Sequence, residues 1–266
     1  MESECYAYVR RSPGSPYRYE TMKEHVDGMI KYLREKWEYL ATLQKFERLL
    51  GVDRDVLDVL IKLAIILHDI GKSRREYQET CTISCESFPY HYAISSRIAM
   101  RIARSADLGI PRIKEIADIT THKPPLGALY LSVVVLPVLL HHYTTISEET
   151  LFEAIEKSRP LRAIEIHEPC RELYVQEFRA LLEHSKKFRD AELIRLLEKA
   201  HEMLSTSNII ELSSLPLNSN WELIRTYSTQ SPLITLVEVV TGLVNMSDSK
   251  IACIHREERF GLRECK

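Results

Sequence analysis

The chain has 266 residues, with Lys+Arg 36 against Asp+Glu 38, a formal net charge of −2, 45% hydrophobic and 28% charged residues. That balance excludes a disordered chain and a surface that coats nucleic acid with basic charge, although a local basic patch would not register in the total. The length suits one core or two closely packed lobes.

The N-terminal MESECYAYVRRSPG lacks the charged-then-apolar pattern of a secretion signal. The longest apolar run, LYLSVVVLPVLL, is too short to span a bilayer and contains Pro137. A cytoplasmic protein without a membrane partner is expected. The six cysteines (Cys5, Cys81, Cys85, Cys170, Cys253, Cys265) include no CxxC pair. They read as half-buried free thiols, with a disulfide or a zinc site as the alternatives.

Few glycines and little alternation of apolar with polar residues leave almost no strand signal, whereas helical periodicity recurs along the chain. The fold class expected is all-α. After an irregular lead from Ser12 to Pro16, Thr21-x-x-Glu24 has the form of a capping box. Val26, Ile30, Leu33 and Trp37 then fall on one face of a first helix. Asp53 or Asp55 can cap the next, whose run VLDVLIKLAIIL is apolar nearly all round and stops at Gly71, a residue suited to a left-handed helix end. This helix should be central.

A loop with CTISCESFP leads to a third helix over about 91–106. Gly109-Ile110-Pro111 breaks it before a short helix through Ile119, and Pro124-Pro125 forces a turn. ALYLSVVVLPVLLHHY predicts a buried helix kinked near Pro137. Amphipathic helices follow over 147–157 and about 170–204. The polar SSLPLNSN then precedes the last apolar helix, PLITLVEVVTGLVNMSDSKIACI.

Several ionisable residues interrupt these apolar helices or sit at their ends. Burying such groups costs several kcal/mol, as an order of magnitude, unless they are paired or ligated. They are His25, His68 and Asp69, His91, His141 and His142, and Asp248. Each alone is ordinary. A single buried His needs only a hydrogen-bond partner for each nitrogen, and Asp69 or Asp248 alone could serve a helix end. Their order is more specific: His, then HDIGK, then FPYHYAISS, then LLHHY, then a late Asp in an apolar helix.

That order resembles the HD-domain metal-dependent phosphohydrolase superfamily, and within it the stand-alone HD nuclease of type I CRISPR systems. The resemblance covers residues 20–145 and a short piece around Asp248; residues 150–230 are outside it. It implies a single all-α HD domain over residues 1–266, a helical bundle with its core over 20–145, a helical C-terminal elaboration over 146–230 and a core helix over 231–255 that carries the last Asp ligand, and it implies two divalent ions. One ion would be held by His25, His68, Asp69 and Asp248, the other by Asp69, His91, His141 and His142, with Asp69 bridging. The family sets its double His closer behind the preceding ligand, and His122 falls nearer that distance than His141, so His122 is the alternative ligand of the second ion. The remaining histidines, His167, His184, His201 and His255, lie in charged contexts and read as surface residues.

The resemblance gives Asp69 and Lys72 catalytic roles, with Lys72 neutralising a phosphate. Arg74 and Arg75 follow as candidate substrate-binding cations at the edge of the site; an ordinary solvated loop is the alternative for them. Imidazole and carboxylate donors suit Mn²⁺, Ni²⁺, Co²⁺ or Fe²⁺ better than Mg²⁺, which stays admissible. The function implied is hydrolysis of single-stranded DNA, or RNA, in CRISPR interference. The chain has no Gly-x4-Gly-Lys-Ser/Thr loop, so a separate helicase and effector complex are the expected partners. The alternatives are an HD nucleotidase or cyclic-nucleotide phosphodiesterase, and a catalytically silent HD assembly module.

Overall fold

A computed structural model describes residues 4–11, 17–119, 122–142, 145–188, 190–217 and 231–265. The expected irregular lead from Ser12 to Pro16 lies outside the described residues, as does the end of SSLPLNSN. Among the described residues the chain is all-α apart from two small antiparallel sheets.

The first sheet is a hairpin that the low strand signal concealed, β1 (Tyr6–Arg10) against β2 (Arg18–Thr21). Its aromatic residues suit a pleated, half-buried surface: Tyr19 stacks on Tyr17 and meets Tyr6 edge-on. Thr21 ends β2 and caps α1 (Met22–Arg34). Its hydroxyl accepts from Glu24 N at 3.2 Å while the Glu24 carboxylate accepts from Thr21 N at 3.1 Å. The expected capping box is present and contributes about 1 kcal/mol. α1 buries Met22, His25, Val26, Met29 and Leu33. It does not reach Trp37, which opens α2 (Trp37–Leu50) and is 72% exposed.

α2 ends on Gly51, whose φ of +62° is left-handed. Asp53 then caps α3 (Arg54–Leu67), its carboxylate accepting from Asp55 N at 2.8 Å. Every residue from Val59 to Leu67 is buried, as a helix apolar all round requires. Lys62 is tolerated there because its ammonium pairs with Asp58, which also accepts from Tyr39 Oη at 2.5 Å. α1 and α2 are among the helices that pack on α3.

A 3₁₀ turn, Ile70–Ser73, follows α3. Gly71 lies inside it and is not among the left-handed residues, so the expected left-handed stop at Gly71 is corrected. What demands glycine there is space: a Cβ would come 2.3 Å from the carbonyl oxygen of His91. α4 (Arg75–Thr80) leads to a loop and then to α5 (His91–Ser105), entered through Tyr90 at φ 60°.

α6 (Ile113–Asp118) precedes α7 (Leu126–Tyr130), which runs through a π turn, Leu131–Val135, into α8 (Leu136–Leu140). The backbone absorbs Pro137 by widening in the turn before it, where Leu136 N donates to Leu131 O five residues back.

α9 (Glu148–Ser158) and β3 (Ala163–Glu165) come next, and the helix expected over 170–204 is two. α10 (Glu168–Ser185) stops, and Asp190 caps α11 (Ala191–Thr206) by accepting from Leu193 N at 3.0 Å. The two pack together, and β4 (Ile209–Glu211) returns to pair with β3. α12 (Pro232–Arg256) lies against α1 and α8.

The free-thiol reading of the cysteines is overturned. Cys5–Cys170, Cys81–Cys85 and Cys253–Cys265 are disulfides. Cys5 and Cys170 are 165 residues apart in sequence, so no local spacing reveals that pair.

Candidate metal centre

Seven side chains from five parts of the fold converge around the end of α3. His25 comes from α1, His68 and Asp69 from the end of α3, His91 from the start of α5, His141 and His142 from the end of α8, and Asp248 from α12. They form two groups, Asp69 with His91, His141 and His142, and His25 with His68 and Asp248. Within each group the potential ligand atoms lie within 4.8 Å of one another.

Asp69 stands between the groups. Its Oδ1 is 3.1 Å from His91 Nε2 and 3.7 Å from His141 Nε2. Its Oδ2 is 3.2 Å from His68 Nε2 and 3.9 Å from His25 Nε2. Each oxygen thus faces one group. Across the first group His142 Nε2 is 3.0 Å from His91 Nε2, and across the second His25 Nε2 is 3.2 Å from Asp248 Oδ1.

The outward nitrogens explain why the Nε2 atoms point inward. His68 Nδ1 lies 2.6 Å from Ile65 O, His91 Nδ1 2.7 Å from Phe88 O, and His141 Nδ1 2.7 Å from Val138 O. A carbonyl can only accept, so in each ring Nδ1 carries the proton and Nε2 keeps its lone pair in the neutral form. His25 differs in that its Nδ1 is bonded at 2.8 Å to the carboxylate of Glu20.

The buried carboxylates stay ionised. Burial alone would push Asp69 up, but His68, Lys72 and His141 outweigh it and hold its pKa well below the usual carboxylate range. Asp248 is likewise held low, since His25 outweighs the cost of burial. Burial, together with the neighbouring Lys72, lowers His91 to about 4 despite Asp69. Burial and the adjacent His141 and His91 also lower His142. For His25 burial is overcome by the Glu20 and Asp248 carboxylates, and its pKa is raised to about 9.

This donor set fits divalent cations. His25 Nε2, His68 Nε2, Asp69 Oδ1 and His141 Nε2 are buried without a hydrogen bond of acceptable geometry. A single buried polar atom left so costs about 1–3 kcal/mol. Two of them, His25 Nε2 and His68 Nε2, belong to one group and two, Asp69 Oδ1 and His141 Nε2, to the other; a positive ion in a group would compensate its pair, and a mixture of imidazole and carboxylate suits borderline metals.

One stretch of 65 residues is 35% identical to the CRISPR-associated endonuclease Cas3-HD of Methanocaldococcus jannaschii. The likeness spans 23% of this chain and 27% of that protein, so it covers about a quarter of the relative's length. Over that stretch it supports a relation to an HD nuclease. No protein-family model matches the chain.

Other expected residues lie elsewhere. The ring of His122 packs against Gly51, where an added Cβ would fall 1.9 Å from His122 Cε1, and His122 belongs to neither group. Lys72 is buried rather than at a rim, with Nζ 2.6 Å from Asp69 Oδ2. Arg74 turns to Glu76, and Arg75 to Glu79 at 2.9 Å and Glu165 at 2.7 Å. Local carboxylates offset both charges.

His255, expected at the surface, is half-buried, with its Nδ1 2.9 Å from the buried Glu20 carboxylate. Glu20 itself is barely marked in the sequence. Its only signal is a position one residue before a capping box, five residues ahead of His25.

Proposed function

We propose that the protein is a metal-dependent phosphodiesterase that cleaves single-stranded nucleic acid, DNA foremost, as the nuclease of a CRISPR interference complex. The observation that carries this reading is Asp69, an ionised carboxylate with one oxygen toward each of two groups of inward-facing imidazoles. His25, His68, Asp69 and Asp248 would hold one divalent ion, and Asp69, His91, His141 and His142 the other. Such ions, when bound, supply an acidified water and neutralise charge on a phosphodiester.

The chain's own residues supply rigidity and charge balance. α3 is packed on all sides, so His68 and Asp69 start from a fixed backbone. Carbonyl bonds to three Nδ1 atoms fix the ring faces. Lys72 Nζ, 2.6 Å from Asp69 Oδ2, is the cation that would neutralise charge on a phosphate held at the centre. His25, His91 and His142 must reach the centre as neutral donors, which burial already favours for the last two.

The choice of a CRISPR nuclease within HD hydrolases is supported by the partial likeness to Cas3-HD and by the HDIGK, FPYHYAISS and LLHHY motifs. A separate helicase that unwinds DNA and an effector complex that delivers it are the partners of this reading. The test is incubation of the purified protein with single-stranded DNA, RNA and mononucleotides in the presence of Mn²⁺, Co²⁺ or Mg²⁺. Degradation of DNA that disappears in Asp69→Ala supports the proposal. Equal cleavage by that variant overturns the site, and turnover of mononucleotides alone replaces nuclease by nucleotidase.

A further inference from the structure

Glu20 is the most heavily used carboxylate beside the centre, and it touches none of the atoms that face inward. It is fully buried at the end of β2. Oε1 accepts from His25 Nδ1 at 2.8 Å and from His255 Nδ1 at 2.9 Å, and Oε2 accepts from Arg256 Nε at 2.6 Å. One carboxylate therefore joins α1, which supplies His25, to the C-terminal end of α12, which supplies Asp248.

The spacing on α12 makes that link consequential. Asp248 and His255 are seven residues apart, two turns of helix and nearly the same face, about 10 Å along the axis. Fixing His255 and Arg256 sets the rotation and height of α12, and with them the Asp248 carboxylate. Neighbours reinforce the clamp. Arg18 Nη1 is 3.3 Å from both Arg256 O and Glu257 Oε1, and the Arg256 guanidinium lies 4.9 Å over the Tyr8 ring. At Gly28 the two helices approach so closely that a Cβ would be 2.9 Å from Ile251 Cγ2.

We propose that Glu20 is a positioning residue for the His25, His68 and Asp248 group, aligning His25 through Nδ1 and Asp248 through the end of α12. This rests on the metal-centre reading given above. His68, His91 and His141 take their orientation from carbonyls, which any residue supplies; His25 takes its own from a side chain. The two groups should therefore respond differently to the loss of that one carboxylate.

The experiment is calorimetric titration of the metal-free protein with Mn²⁺, comparing wild type, Glu20→Gln, Glu20→Asp and Asp248→Asn. Wild type should show two sites. Glu20→Gln should weaken one of them about 10- to 100-fold, the range found when the partner of a metal-bound His is removed. The weakened site should be the one that Asp248→Asn removes, and the other should keep its affinity. Glu20→Asp keeps the charge but shortens the reach, and should weaken the same site less; it carries the comparison where Glu20→Gln does not fold. Unchanged affinity at both sites, or equal weakening of both, overturns the positioning role. A wild type that binds no Mn²⁺ overturns the metal-centre reading itself, a result visible before any variant is compared.

Discussion

His91 Nε2 and His142 Nε2 stand 3.0 Å apart, although the two residues are fifty-one positions apart in sequence. At that distance the rings can share one proton, or both can direct lone pairs to a cation. The second arrangement predicts a large metal effect on stability. Mn²⁺ at a hundredfold over its dissociation constant should add about 2.7 kcal/mol, seen as a rise in thermal midpoint that EDTA reverses. His142→Ala should shrink the rise. No rise with Mn²⁺, Co²⁺, Ni²⁺ or Mg²⁺ would remove the basis for a metal centre.

Gly71 and His91 give a second prediction. A methyl group at position 71 would sit 2.3 Å from His91 O, a backbone atom that cannot step aside, and 3.0 Å from Ser95 Oγ. Gly71→Ala should cost about 1–3 kcal/mol in denaturant unfolding, the usual cost of overpacking. It should also weaken metal binding, because the start of α5 carries His91. Gly242→Ala in α12 is the control. Nothing lies within 4 Å of its added Cβ, so helix propensity should make it about 0.5–1 kcal/mol more stable. Equal effects of the two substitutions would show that the close approach at Gly71 is not felt.

The disulfides should rank by the chain they close. In the chain-entropy description Cys5–Cys170 is worth about 5 kcal/mol, Cys253–Cys265 about 3 and Cys81–Cys85 about 2. Paired Cys→Ala variants, compared by urea midpoint, should lose stability in that order. Cys5→Ala with Cys170→Ala loses most because the link ties the first hairpin to α10 across 165 residues. A reversed order would mean that native packing rather than loop closure dominates.

His167, at the N-terminal boundary of α10, donates its backbone N–H to Ser73 O at 2.9 Å. Burial, and then the charge of Arg75, lower its side-chain pKa below the usual 6.5. A depressed histidine pKa means that the unfolded chain takes the proton first. Its contribution is therefore complete above 6.5 and declines as pH falls through that value toward the lower folded pKa. The thermal midpoint of wild type should drop more steeply between about pH 8 and pH 5 than that of His167→Gln. Parallel curves would count against the shift.

The helical class and the central α3 could be read from the sequence because apolar periodicity and an all-round apolar run are local signals. The capping box at Thr21 was legible for the same reason. The seven ionisable residues at the centre stood out because each interrupts an apolar context, although only folding shows that Asp69 turns one oxygen to each group. What escaped was either long-range or backbone-borne. Cys5 and Cys170 have no spacing to betray them, and Glu20 reads as one more charged residue just ahead of a helix cap. The break between α10 and α11 hangs on one cap at Asp190 within a charged stretch that is helical in pattern on both sides. His122 drew attention by its distance from His91, and only packing places it against Gly51.

Three of the imidazoles are aimed by carbonyl oxygens of Ile65, Phe88 and Val138, each three positions earlier in the same segment. Those residues contribute nothing to the aim through their side chains, so any amino acid with a compatible shape can stand there while the ring keeps its direction. Evolution is accordingly free to rewrite that outer layer, and comparing sequences would leave it unseen. His25 is the exception, tied to the identity of one acidic residue. A drifting lineage should therefore lose the aim of His25 by a single substitution at Glu20, while the other three rings yield only to a change in the path of the chain.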